Sequence, residues 1–216
     1  MIGRSPRYLG RVVALSAVLF ASPGLSAPSA VLAGPSQLQP EEQKQLANGA
    51  RVERPLTFVS GKGSYVGGIA YQVVHCSPAE VLSALLDVQK LKEMLPRTRS
   101  ARLVSSEAGR ARVELEQGQA PFVARYTIVI ERAPGSDELR FWLDPSAPHD
   151  IRDVFGFFRV RALNPVDSVI TVGAAVDLGP GLFTGLFEDR VRAVVLRSVT
   201  KIRDFMEPGR VALLGY

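Results

Sequence analysis

One cysteine, Cys76, two histidines, His75 and His149, and one tryptophan, Trp142, are all that 216 residues contain of these types. A single cysteine closes no intramolecular disulfide, so stability has to come from a buried core. With no His/Asn partner pattern around it, Cys76 reads as a small apolar filler rather than a catalytic thiol. His75 adjoins it, but zinc needs three or four converging ligands, and no CxxC or HExxH spacing is present. A GxSxG elbow, a P-loop and a GxGxxG turn are missing as well, so the sequence offers neither a metal centre nor a cofactor motif.

The N-terminus has no acidic residue and no long apolar run. Arg4, Arg7 and Arg11 precede an uncharged stretch from Val12 to Phe20, followed by small residues. That stretch is too short to cross about 30 Å of hydrocarbon, and the pattern predicts a cleavable export signal over residues 1–33, cut after Val31-Leu32-Ala33 in preference to Leu25-Ser26-Ala27, which Pro28 follows. An uncleaved anchor is the alternative, disfavoured by Pro23 and Gly24, which break the run. Without residues 1–33 the chain loses three Arg and no acid, and its formal charge falls from +5 to +2. So nearly balanced a surface gives no electrostatic case for nucleic acid as a partner. A secreted or periplasmic location is the expectation.

What is present is a change of hydrophobic period along one domain. Residues 34–63 read as an N-terminal lead with a short helix, Glu41–Asn48, closed by Gly49. A strand follows over 65–75. Ser77-Pro78-Ala79-Glu80 then combines a capping hydroxyl, a proline at the first helical position and a glutamate three residues on, which predicts a helix start. Val81, Leu82, Leu85 and Leu86 form its apolar stripe, and a second short helix, Val88–Leu95, stops at Pro96. Beyond it the period becomes two. Strands are predicted over 99–107, 110–118, 122–132, 138–144, 154–163 and 167–178, separated by Gly, Pro, Asn and Asp turns short enough for an antiparallel meander. Gly179-Pro180-Gly181 ends the last strand, and apolar residues recurring at three and four predict a helix over 182–206, roughly 37 Å long. Residues 207–216 are a tail.

The pieces Ser77-Pro78-Ala79-Glu80-Val81-Leu82-Ser83-Ala84-Leu85-Leu86-Asp87-Val88, Met94-Leu95-Pro96 and Val123-Ala124-Arg125-Tyr126, with the closing helix, resemble the START-like (SRPBCC) superfamily over residues 64–206. The nearest likeness is to its polyketide cyclase/dehydrase and lipid-transport group, which includes coenzyme Q-binding proteins. These motifs record cap and turn geometry, so they carry a fold better than an activity. The resemblance implies an α+β helix-grip fold: a curved antiparallel sheet of about seven strands wrapped on the long C-terminal helix, with two short helices after the first strand. It also implies a cavity between sheet and helix that takes a hydrophobic small molecule, a lipid or a quinone.

For such a cavity the aromatic and apolar candidates are Tyr126, Phe141, Trp142, Phe157, Phe183, Phe187, Val191 and Val194. Arg152 is the candidate for a polar head. Arg125 and Tyr126 alternate on one strand, so a single one faces inward, and Tyr126 is the expectation. For any one aromatic, ordinary core packing is the commoner role. The segment Asp144-Pro145-Ser146-Ala147-Pro148-His149-Asp150-Ile151-Arg152-Asp153 and the Gly179-Pro180-Gly181 hinge are the expected gate. Within it His149 with Asp150 or Asp153 is the candidate general acid/base pair of a cyclase- or dehydratase-like enzyme. A solvated Asp/Pro turn is the plainer reading and is preferred. A third reading is an interaction module with a closed interior, whose aromatics over 154–160 form a patch for a protein or for transient contact with a membrane surface. Nothing in the sequence bears on oligomeric state.

Overall fold

A computed structural model describes residues 38–61, 63–120, 122–179 and 185–208. The export signal predicted over 1–33 lies outside these residues. Helix α1 spans Pro40–Ala47. Strands β1 (Val52–Ser60) and β2 (Gly63–Val74) follow as a hairpin. Next come helices α2 (Pro78–Leu86) and α3 (Val88–Met94). The meander consists of β3 (Thr98–Glu107), β4 (Arg110–Gln119), β5 (Phe122–Arg132), β6 (Glu138–Leu143), β7 (Asp153–Ala162) and β8 (Ser168–Asp177). Helix α4, Gly185–Met206, closes the chain.

Every strand pair is antiparallel, and the order is β1-β2-β8-β7-β6-β5-β4-β3. Helices α2 and α3 carry the chain from β2 to the far edge, and the meander walks back until β8 lies beside β2. The sheet is curved and unclosed, the helix-grip arrangement expected. It has eight strands rather than about seven, because β1 lies within the stretch read as a lead. Pro55 hid it: proline donates no ladder hydrogen bond and argues against a strand, yet an edge strand tolerates one. β1 is such an edge.

The local signals act as their chemistry requires. The Ser77 hydroxyl accepts from the Glu80 amide at 3.4 Å, while the Glu80 carboxylate accepts from the Ser77 amide at 2.8 Å. Ser77→Ala removes one half of this reciprocal cap and is expected to lower stability by about 1 kcal/mol, read as a shift in the urea midpoint at constant slope.

The sheet carries apolar side chains on both faces. On the concave side Val113, Leu139, Val160, Ile170, Val199 and Ile202 belong to one fully buried core beneath α4. On the convex side Leu46, Tyr65, Tyr71, Phe155 and Phe157 form a second buried cluster beside α1. There Phe58 stacks on Tyr65 at 5.1 Å, and Tyr65 meets Phe155 edge-on at 5.4 Å. Leu196 of α4 packs on β2 at Gly68, where an added Cβ would lie 2.8 Å from Leu196 Cδ2 and 2.6 Å from the Arg54 carbonyl oxygen.

Candidate functional site

The concave face and α4 do not meet everywhere. Between them lies a cavity of about 760 Å³. Its wall is built by strand parity. On β5 the alternate residues Tyr126, Ile128 and Ile130 point inward; Phe141 does so on β6, Val154 and Phe158 on β7, and Val172 and Ala174 on β8. Phe187, Val191, Val194, Val195 and Ser198 of α4 form the roof, and Leu91 and Leu95 of the α3 region close one end.

Polar groups in the depth are few and satisfied among themselves. Tyr126, buried, donates its hydroxyl hydrogen to Gln117 Oε1, and Gln117 Nε2 donates to Thr98 Oγ1 at 2.7 Å. Ser198 Oγ donates to the Val194 carbonyl of its own helix at 3.1 Å. Desolvation pushes the Tyr126 phenol well above the usual tyrosine range. In the unfolded chain the same phenol ionises near pH 10. The native state therefore holds its proton where the unfolded state releases it, and the contribution is complete below about pH 10 and lost above it. Stability should fall above about pH 10, by up to 1.4 kcal/mol per pH unit for this group, and less steeply in Tyr126→Phe; urea titrations from pH 9 to 11 read the difference.

At the mouth the β4–β5 hairpin meets α4. Phe122, about half exposed, packs edge-on against Phe187 with ring centroids 4.5 Å apart, and the Arg190 guanidinium lies 5.8 Å from the Phe187 ring centre. The Gly118 amide donates to the Arg97 carbonyl at 2.9 Å, which ties the α3–β3 turn to the same hairpin. Arg97, Gln119, Asp150 and Arg190 complete the rim.

Of the residues singled out from sequence, Tyr126, Phe141, Phe187, Val191 and Val194 line this cavity. Phe183 lies outside the described residues. Trp142 and Phe157 are on the convex face, in or against the second cluster, with Arg110 5.7 Å from the Trp142 ring centre and Arg159 4.9 Å from that of Phe157. Parity is the reason: Phe141 and Phe158 are their neighbours that face inward. Arg152 is also outside the cavity. Its guanidinium lies 3.5 Å from Asp177 Oδ2 and its amide donates to the Asp177 carbonyl, while Ile151 supplies a buried apolar side chain from that loop.

The structure does not pair His149 with Asp150. His149 is exposed and its Nδ1 lies 2.7 Å from the Ile151 carbonyl; the Asp150 carboxylate accepts from the Arg125 amide at 2.8 Å. Asp144 anchors the same loop. Bonds from Ser146, despite burial, and a contact with Arg112 hold its carboxyl below the usual range. Phe155 and Phe157 are buried, so they make no exposed patch over 154–160.

No family model matches this chain, and no curated protein matches it in sequence. Solved structures do. A STAR-related lipid transfer protein from Xanthomonas axonopodis superposes with a TM-score of 0.56 at 11% identity, over 71% of this chain and 98% of that one. The Zhui aromatase/cyclase from a Streptomyces species gives 0.53 at 16% identity, over 76% and 98%. A START superfamily protein from Mycobacterium smegmatis gives 0.52 at 14% identity, over 68% and 97%. At such low identities the likeness is one of architecture, and it agrees with the eight-stranded sheet gripping a C-terminal helix: this chain shares the helix-grip fold of these structures.

Proposed function

We propose that this chain is an exported protein that binds a hydrophobic small molecule, a lipid or a quinone, between its sheet and α4. The carrying observation is the cavity of about 760 Å³ that α4 roofs without filling. Its volume falls within the roughly 300–1,000 Å³ usual for small-molecule sites, and a mostly apolar wall with few polar groups favours an apolar guest. Each Å² of apolar guest surface removed from water contributes about 25 cal/mol, so shape and volume dominate affinity. A lipid transfer protein among the structural neighbours is consistent with this use of the fold. An aromatase/cyclase among them shows that the same architecture also hosts chemistry, but here His149 and Asp150 engage the backbone instead of each other.

The basic start, short apolar run and Val31-Leu32-Ala33 end support export. N-terminal sequencing of the mature protein is expected to begin at Gly34; an intact Met1 would contradict it. For the guest, protein purified without detergent from the cells that make it is extracted with organic solvent and the extract analysed by mass spectrometry. An apolar compound at about one per chain is expected. A clean extract, together with failure of the stripped protein to take up acyl or quinone probes, would overturn the reading.

A further inference from the structure

We propose that the guest is an amphiphile with one anionic head, a carboxylate or a phosphate, held at the cavity mouth between Arg97 and Arg190. This rests on the binding function above and names the class of molecule. Three charged residues line the cavity: Arg97, Asp150 and Arg190. The Asp150 carboxylate already accepts the Arg125 amide. Arg97 and Arg190 make no ion pair among the described residues, and the residues outside that set contain no Asp or Glu. Most other arginines of the sheet are matched: Arg99 with Glu116, Arg102 with Glu114, Arg110 with Glu131, Arg159 with Glu138.

The two guanidinium-bearing residues flank one structure. Arg97 is bonded through its carbonyl to Gly118, beside the turn of the β4–β5 hairpin, and Arg190 lies over Phe187, which packs on Phe122 at the start of β5. Arg97 is also the sole described residue other than glycine with φ in the left-handed region, at 56°. A side chain there crowds its own carbonyl, so glycine or asparagine would close this turn with less strain. Placing an arginine at that turn sets its guanidinium on the rim.

Depth and mouth thus differ in kind. The polar groups inside, Tyr126, Gln117 and Ser198, have their partners within the protein and ask nothing of a guest. Deep charge would be unpaired in an apolar wall and is disfavoured. At the mouth two guanidinium groups without an ion-pair partner stand against one carboxylate, Asp150, which leaves the rim net positive. A molecule with an apolar tail and one anionic head meets both conditions, and guanidinium groups recognise carboxylate and phosphate alike through paired N–H donors.

The test compares hexadecanoate, hexadecyl phosphate and hexadecanol on the stripped full-length protein and on Arg97→Gln, Arg190→Gln and the double variant, with folding checked by circular dichroism. At least one of the anions should bind about tenfold more tightly than the alcohol, and that ratio should collapse toward one in the double variant. Whichever anion gives the larger ratio identifies the head. On the unmodified protein the ratio should also shrink as salt rises from about 0.05 to 0.5 M, a reading that does not depend on any variant folding. Equal affinities for acid, phosphate and alcohol in the unmodified protein would overturn the head while leaving the carrier intact. A preference that survives in the folded double variant would overturn the assignment to Arg97 and Arg190. Failure of all three to bind would overturn the carrier reading itself.

Discussion

Val194→Trp is expected to weaken binding of an apolar guest by about 30- to 150-fold while the protein stays folded. Val194 lies on the cavity side of α4 and lines the same cavity as Tyr126 and Ile128 of β5. Replacing isopropyl by indole at that point puts the extra ring where the guest would lie, and a guest displaced from roughly 100 Å² of apolar contact loses about 2–3 kcal/mol. The fold tolerates the change because the space is a void: a larger apolar side chain there does not push on close-packed neighbours, which is where overpacking becomes costly. Val166→Trp is the control, since Val166 is 67% exposed in the β7–β8 turn and far from the cavity. Fluorescence titration with an acyl probe reads both. Full affinity in a folded Val194→Trp protein would mean that the guest binds elsewhere.

The second large effect is on stability. Gly68→Val is expected to cost about 2–4 kcal/mol, seen as a lower urea midpoint. The reason is which atoms lie in the way. An added Cβ would sit 2.6 Å from the Arg54 carbonyl oxygen and 3.1 Å from Pro55 Cα, both backbone atoms of the paired strand β1, as well as 2.8 Å from a Leu196 methyl group. A side-chain methyl can rotate away, but a neighbouring strand's backbone moves only by opening the β1–β2 ladder. The missing side chain at Gly68 thus leaves room both for β1 and for Leu196 of α4 on the sheet. A variant of normal stability would contradict this account of how α4 is seated.

How far these features could be read beforehand depends on whether their signal is local. The Ser77–Glu80 cap, the stop at Pro96 and the period of two in β4 and β5 are local, and the elements form where the residues predict them. β1 was obscured because Pro55 speaks against a strand, while what permits it, a place at the edge, is a property of the assembled sheet. The facing of β6 and β7 is also written in the sequence, and it runs against Trp142 and Phe157 as cavity residues. In β7 the row Phe155, Phe157, Arg159, Arg161 runs into charge, whereas Val154, Gly156, Phe158, Val160 does not, and the uncharged row faces α4. In β6 the row with Glu138 and Arg140 contains Trp142, and the row with Leu139 and Leu143 contains Phe141. Following each row to its end would have chosen Phe158 over Phe157. The second convex cluster masked this, since it gives aromatics of the outer row somewhere dry to go.

Gln117, Arg97 and Arg190 carried no such signal. Gln117 sits in a strand among glutamates and reads as one more wet position; only the approach of Tyr126 across β4–β5, where Leu115 and Tyr126 are paired, gives its amide a role. Arg97 and Arg190 are 93 positions apart in the chain, and the hairpin between them is what makes them one rim.

The central claim, that a dry hollow beneath α4 holds an apolar guest, is tested most directly by calorimetric titration of the stripped protein with a long-chain alcohol at several temperatures. One saturable site per chain with a clearly negative heat-capacity change, the mark of apolar surface leaving water, is the predicted result. Heats that never saturate, or saturable binding whose enthalpy does not vary with temperature, would contradict it.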